Sequence, residues 1–152
     1  MVAPEDIFTF WFDDLEPAQW WAVDAALDAR LRERFLPTLE QAARCELAPW
    51  RIVLDQFSRN IFRDTPGAFA QDPLALGLAQ EAVAGGALQT LEPSQRSFLL
   101  MPYMHSESRV VHQAAEPLFK EWAPANNHHF ELRHKEIIDR FGLYTEPVEN
   151  LF

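Results

Sequence analysis

The spacing of apolar residues restricts the fold more than any other feature, because it follows the helical period along most of the chain. Leu27, Leu31, Phe35 and Leu39 repeat every four residues, and this spacing places side chains on one face of a helix. Asp24 precedes the series and is a favoured helix N-cap. No segment shows the strict alternation of a half-buried strand. The pattern therefore predicts an all-α fold.

Composition and capping residues extend this prediction to the rest of the chain. The sequence contains 20 alanines and 18 leucines, which favour helix over sheet. Further helices are expected to begin near Pro4, Pro49, Asp72, Glu92, Ser108, and Asn126 or Asn127. Pro37 is expected to kink or split its helix, and Pro102 to disrupt a later one. Gly142 should end the last of about seven helices joined by short loops.

Length, charge and cysteine content limit the class of protein. The 152 residues suit a single domain, 1–152. A net charge of -10 repels phosphate backbones, so no nucleic-acid partner is expected. The single cysteine, Cys45, cannot form an internal disulfide, and neither a signal peptide nor a transmembrane run is present. We therefore expect a cytoplasmic protein with no membrane partner, while its oligomeric state stays open.

A stretch of more than twenty residues resembles a known family. Residues 54–76 read LDQFSRNIFRDTPGAFAQDPLAL and closely resemble the signature of the bacterial domain-of-unknown-function family 924. The resemblance extends to FTFWF at 8–12, MPYMHSES at 101–108 and RHKEIIDRFG at 133–142. It implies antiparallel helix pairs in a right-handed, tetratricopeptide-like superhelix. It implies no reaction.

The chain departs from the family pattern in three places. Ser58 stands where the family usually has proline, and the segment between Cys45 and Trp50 is about ten residues shorter, as surface loops tolerate. The tail, LYTEPVENLF at 143–152, lacks the usual run of proline, histidine, arginine and asparagine. Residues 145–152 also resemble a tail or a remnant of a protease tag.

A first group of candidate site residues lies within the 54–76 stretch. Asp55 and Arg59 are four residues apart, so on a helix they lie one turn apart and can pair. Asn60 and Arg63 follow, just before a turn predicted at Thr65-Pro66-Gly67. These polar groups could form a ligand-binding site or a simple surface ion pair.

A second group comprises His105, Glu107 and His134. His134 falls on an apolar helix face, where a histidine is usually a core residue bonded to a carbonyl or carboxylate. Alternatively, it meets His105 or Glu107 in a shared pocket. These residues, with Asp55, could in principle bind a divalent metal, but no HExxH or CxxC spacing is present, so no metal is predicted. No phosphate-binding or dinucleotide motif is present either, so no cofactor is expected.

Three functions remain open on the sequence. In the preferred one, the chain is a helical-repeat-like binding module that holds a peptide end or a small anionic ligand through its arginines. In the second, it is a small hydrolase or lyase in which His105 and Glu107, with Asp55, provide acid–base chemistry. In the third, these polar residues are purely structural and tie helix ends together through buried hydrogen bonds. Arg59 is expected to be structural and His105 to line a pocket.

Overall fold

The computed structural model describes residues 2–44, 53–146 and 148–152. Over these ranges the chain forms seven α-helices, several short π and 3-10 segments, and no strand. The all-α prediction is therefore confirmed. The chain divides into two compact units, Met1–Gln71 and Asp72–Phe152, which we call the first and second units and describe separately.

The first unit is built around one long helix. Its elements are α1 (Pro4–Phe8) with a π-helical continuation (Thr9–Asp14), a 3-10 turn (Pro17–Trp20), α2 (Ala25–Ala43), a π-helical segment (Val53–Phe57) leading into α3 (Ser58–Ile61), and a 3-10 turn (Pro66–Phe69). The predicted face of α2, formed by Leu27, Leu31, Phe35 and Leu39, is buried. The ring of Phe35 packs against the rings of Phe10 and Phe57, with centroids 5.1 Å and 5.0 Å away. These aromatic contacts hold the unit together, because large buried rings dominate core energetics.

The predicted effect of the internal prolines is partly wrong. Pro37 does not split α2, which runs unbroken to Ala43, and Pro102 lies inside a helix that continues to Met104. An internal proline costs about 3 kcal/mol. Burial of a large side chain such as Phe35 or Leu39 stabilises by roughly 1.5–3 kcal/mol each. The buried residues beside Pro37 therefore suffice to keep the helix continuous.

The second unit is a series of longer helices. Its elements are α4 (Asp72–Ala84), a 3-10 turn (Ala87–Gln89), α5 (Pro93–Met104), α6 (Arg109–Trp122), α7 (Ala125–Phe141) and a 3-10 turn (Val148–Leu151). α6 packs against both α5 and α7, and α4 packs against α5. The C-terminal 3-10 turn packs on α7. The unit therefore brings the end of α5, the start of α6 and the buried face of α7 together.

Helix ends in the second unit follow the capping predictions with one exception. Ser108 caps α6 through a hydrogen bond from the Val111 amide to its hydroxyl, at 3.3 Å. Gly142 ends α7 with a φ of 76°, a left-handed conformation that glycine adopts without strain. The predicted N-cap of α7 is wrong, because the helix already begins at Ala125, after Pro124.

Some predictions stay outside what the structure tests. The helix start at Pro49 and Trp50, and the residue Cys45, lie outside the described residues. The single domain and the right-handed superhelical arrangement of antiparallel pairs stay predictions. No helix among the described residues is both long enough and apolar enough to cross a membrane.

Removing the N-cap of α2 should weaken the first unit. Oδ1 of Asp24 accepts hydrogen bonds from the amides of Ala26 and Leu27, at 2.9 Å and 3.1 Å. We expect Asp24→Ala to lower the free energy of unfolding by about 1 kcal/mol in urea denaturation. Asp24→Asn retains the accepting oxygen and serves as the matched control, since it should stay close to the wild type. Equal losses in both variants would contradict a capping role.

Candidate functional site

Asp55 and Arg59 form a buried ion pair in the first unit. Nη1 of Arg59 donates to Oδ1 of Asp55 at 2.8 Å and to the Asp55 carbonyl at 3.0 Å, and both side chains are almost inaccessible. The amide of Gln56 donates to the other carboxylate oxygen. The Arg59 guanidinium also lies over the ring of Phe69, 5.4 Å from its centroid. The predicted pair is therefore confirmed, but it is buried rather than on the surface.

Asn60 and Arg63 hold a different carboxylate, that of Asp28 on α2. Nε and Nη2 of Arg63 donate to the two oxygens of Asp28, at 2.6 Å and 3.0 Å, in a bidentate arrangement. The Asn60 amide donates to Oδ1 of the same residue at 2.8 Å. This geometry ties the end of α3 to α2. Both arginines of the predicted site thus carry a carboxylate partner inside the first unit.

The central polar contact of the second unit joins His112 on α6 to Glu131 on α7. Nδ1 of His112 lies 2.6 Å from Oε1 of Glu131, and neither side chain is accessible to solvent. Burial raises the pKa of Glu131 above its usual value, while the hydrogen bond and charge of His112 act in the opposite direction. A buried carboxyl group close to a histidine is a perturbed acid of the kind found at functional sites.

The neighbours of His112 define where its protons lie. Its Nε2 is 2.8 Å from the Ser106 carbonyl, which can only accept, so Nε2 carries a hydrogen. The Tyr144 hydroxyl donates to the Met104 carbonyl and lies 3.2 Å from the same Nε2, where its oxygen can serve as a second acceptor. One further proton then lies between Nδ1 and Oε1, on either His112 or Glu131. In both arrangements Oε2 of Glu131 carries no proton.

His134 lies one turn further along α7 and is completely buried. Its Nδ1 is 2.7 Å from the Phe130 carbonyl, so Nδ1 carries the hydrogen. Burial lowers the pKa of His134 from 6.5 to about 3, although the bond to Phe130 opposes this shift. At neutral pH the ring is therefore uncharged, and Nε2 presents a lone pair. The predicted inward orientation and the bond to a carbonyl are confirmed.

His105 closes the group that we call the histidine cluster: His105, His112, Glu131 and His134. His105 is the C-cap of α5 and is 6% exposed. The ring of Phe152 packs against both His105 and His134, with centroids 6.2 Å and 5.1 Å away. The charge of His105 also contributes to the pKa shifts of Glu131 and His134. His105 and His134 therefore both contact the Phe152 ring.

Glu107 has a different role from the other candidates in the second unit. Its side chain is exposed, and Oε1 accepts a hydrogen bond from the Tyr144 amide at 2.9 Å. It thus holds the segment after α7 against the start of α6. Among the described residues, no group of three or more histidine, cysteine, aspartate or glutamate side chains is arranged to hold a metal ion.

Sequence reasoning missed four residues that complete these two sites: Asp28, His112, Glu131 and Tyr144. Asp28 follows the N-cap Asp24 by one turn, and nothing local indicates that it faces α3. His112 and Glu131 are 19 residues apart, so only the packing of α6 on α7 pairs them. A usable signal was present at Glu131, which lies three residues before His134 and hence on the same helix face.

The fold and these sites define a small all-helical protein with buried polar clusters. Residues 7–150 match the family described as bacterial protein of unknown function, DUF924. The chain belongs to this family, which confirms the resemblance carried by residues 54–76.

The fold is shared with a protein of unknown function from Agrobacterium tumefaciens, whose structure has been solved. The two chains are 32% identical with a TM-score of 0.86, and the match covers 96% of this chain and 93% of the other. No curated protein matches the sequence. Neither the family description nor the similar structure names an activity, so the argument for function depends on the site itself.

Removal of Arg59 should destabilise the protein strongly. Arg59→Ala leaves the Asp55 carboxylate in a buried position without its cation, which should cost roughly 2–4 kcal/mol of unfolding free energy. Arg140→Ala is the control, because Arg140 is 67% exposed and lies 3.8 Å from Glu136, so its loss should cost less than about 1 kcal/mol. An unchanged stability for Arg59→Ala in urea denaturation would contradict the structural role.

His134 should make the protein less stable in acid. Below pH 6.5 the unfolded chain binds a proton at this residue, whereas the folded protein does not until about pH 3. Above pH 6.5 His134 therefore does not lower the free energy of unfolding. Below pH 6.5 it lowers this free energy by roughly 1.4 kcal/mol for each pH unit. We expect His134→Leu to gain stability relative to the wild type between pH 6.5 and 4.

The exposed residue His129 provides the matched control for this measurement. His129→Leu makes the same chemical change on the same helix at a solvent-accessible position. Its stability relative to the wild type should stay nearly constant with pH. Parallel pH profiles for the two leucine variants would show that His134 is not buried in its neutral form.

Proposed function

We propose that the protein is a helical binding module, and that its second unit binds a small polar ligand, such as the end of a peptide, at the histidine cluster. One observation carries this proposal. Oε2 of Glu131 and Nε2 of His134 are buried atoms that have no hydrogen-bond partner among the described residues. A buried polar atom without a partner costs roughly 1–3 kcal/mol, so the presence of two such atoms on neighbouring side chains calls for an explanation.

The two units differ in a way that favours the second as the binding site. In the first unit, Asp55 and Asp28 already neutralise the arginines Arg59 and Arg63 at contact distance. An anion at these guanidinium groups would have to displace a carboxylate from its partner. This makes the first unit better suited to a structural role, and it leaves the acceptors of the histidine cluster as the groups best placed to contact a ligand.

The acid–base alternative receives less support from the same contacts. Glu107, the predicted partner of His105 in catalysis, is exposed and bonded to the Tyr144 backbone. Hydrolysis or elimination would also need the acid and the base to face one substrate. A cytoplasmic location remains part of the proposal, and the single cysteine supports it, because the sequence can form no internal disulfide.

A titration with glycylglycine tests the proposal, since this dipeptide carries an amine, an amide and a carboxylate. Binding at the cluster should raise the melting temperature of the wild type and of His129→Leu, and the effect should disappear in His134→Leu. If no concentration of glycylglycine stabilises the wild type, or if it stabilises His134→Leu equally, the cluster is not a site for a peptide end.

A further inference from the structure

The chemistry of the histidine cluster specifies the kind of group that it would bind. Glu131 and His134 lie three residues apart on α7, so their side chains share one face of the helix. Both side chains are completely buried. Oε2 of Glu131 and Nε2 of His134 have no hydrogen-bond partner within the described ranges. They belong to neighbouring side chains, so we expect a single small group to reach both.

Each of these atoms is a hydrogen-bond acceptor. Nε2 of His134 carries a lone pair, because the Phe130 carbonyl holds the ring hydrogen on Nδ1. Oε2 of Glu131 carries no proton, because the shared proton lies on the line between Oε1 and His112. A second acceptor placed against them would leave lone pairs facing one another and unpaired, which is unfavourable in a buried site.

Two donors close to these acceptors are already used by backbone carbonyls. The Nε2 hydrogen of His112 points to the Ser106 carbonyl, and the Tyr144 hydroxyl hydrogen points to the Met104 carbonyl. The rings of Phe152 and Tyr144 flank His134, with centroids 5.1 Å and 5.7 Å away. These rings provide apolar and π-rich contacts, which suit the methylene or methyl group that carries a nitrogen.

We propose that the histidine cluster binds an uncharged or cationic N–H donor group, namely a carboxamide or a primary ammonium, and discriminates against carboxylates. Two N–H bonds of one nitrogen would donate to Oε2 of Glu131 and to Nε2 of His134. This inference rests on the proposed function and names the ligand chemistry of the same site. It differs from the anionic ligand expected at the arginines of the first unit.

Three small probes separate the possibilities. Acetamide and acetate have nearly the same shape, but acetamide presents an NH₂ group where acetate presents a second acceptor oxygen. Methylammonium tests whether a charged donor binds as well as a neutral one. Each probe is titrated at neutral pH into the full chain labelled with ¹⁵N, and the His134 ring nitrogens are followed by NMR.

The expected result is a saturable movement of the His134 Nε2 signal towards its protonated position with acetamide, methylammonium or both. Because each probe is so small, its dissociation constant should lie in the millimolar range. Acetate should bind at least about tenfold more weakly. Because His112 contacts Glu131, the donor probes should also move the His112 ring signals in the wild type and in His129→Leu, but not in His134→Leu. The stronger of the two donor probes identifies the source, a neutral amide or an ammonium.

The other outcomes overturn the inference in distinguishable ways. If acetate shifts the His134 signal as strongly as the donors, the site exists but its chemistry is not that of a donor ligand, and the proposed function survives. If none of the three probes shifts it while glycylglycine does, the donor inference is again wrong and the binding role stands. If glycylglycine is also without effect, both the inference and the proposed function fail.

Discussion

A buried carboxylate must have a partner at contact distance, and this requirement organises both units of the protein. In the first unit Asp55 is matched by Arg59, and in the second Glu131 is matched by His112. The first pair links the π-helical segment to α3, and the second links α7 to α6. Because removing one partner would leave an uncompensated charge in a medium of low dielectric constant, these pairs restrict which helix faces can be buried.

The two pairs nevertheless lead to different local environments. The carboxylate of Asp55 is bonded through both oxygens, to Arg59 and to Gln56. The carboxyl group of Glu131 is bonded through Oε1. Its Oε2, like Nε2 of His134 on the same helix face, has no hydrogen-bond partner among the residues that the structure describes. Full pairing is typical of a structural element, whereas partial pairing of buried groups is typical of a site that meets something else. This difference is the physical reason for placing the binding role in the second unit.

Family membership extends the argument without supplying a function. The chain and the Agrobacterium tumefaciens protein have the same fold at 32% identity, and that protein is described as one of unknown function. Helical folds of this kind host unrelated activities, so a function has to be argued from the chemistry of a site rather than from the fold. The unpaired acceptors of Glu131 and His134 provide such chemistry.

Local sequence patterns are enough to predict the helical class, the capped ends at Asp24, Ser108 and Gly142, and the pairing of Asp55 with Arg59. All of these depend on residues within one turn or one helix, where geometry follows directly from spacing. These patterns also indicate that His134 points inward, since the apolar period around it is unambiguous. The prediction that Pro37 splits α2 is wrong, because burial of the side chains on both sides of the proline outweighs its local cost to the helix.

The contacts between side chains that are distant in sequence depend instead on how the helices pack. Asp28 faces Arg63 across 35 residues, and His112 faces Glu131 across 19. Such contacts depend on how helices pack, and the helical period of each segment contains no information about its neighbour's rotation or offset. Within the described part of the chain, the same packing leaves Oε2 of Glu131 and Nε2 of His134 without a donor. The sequence shows which side chains can accept a hydrogen bond. The folded structure is needed to show which of these acceptors lack a donor nearby.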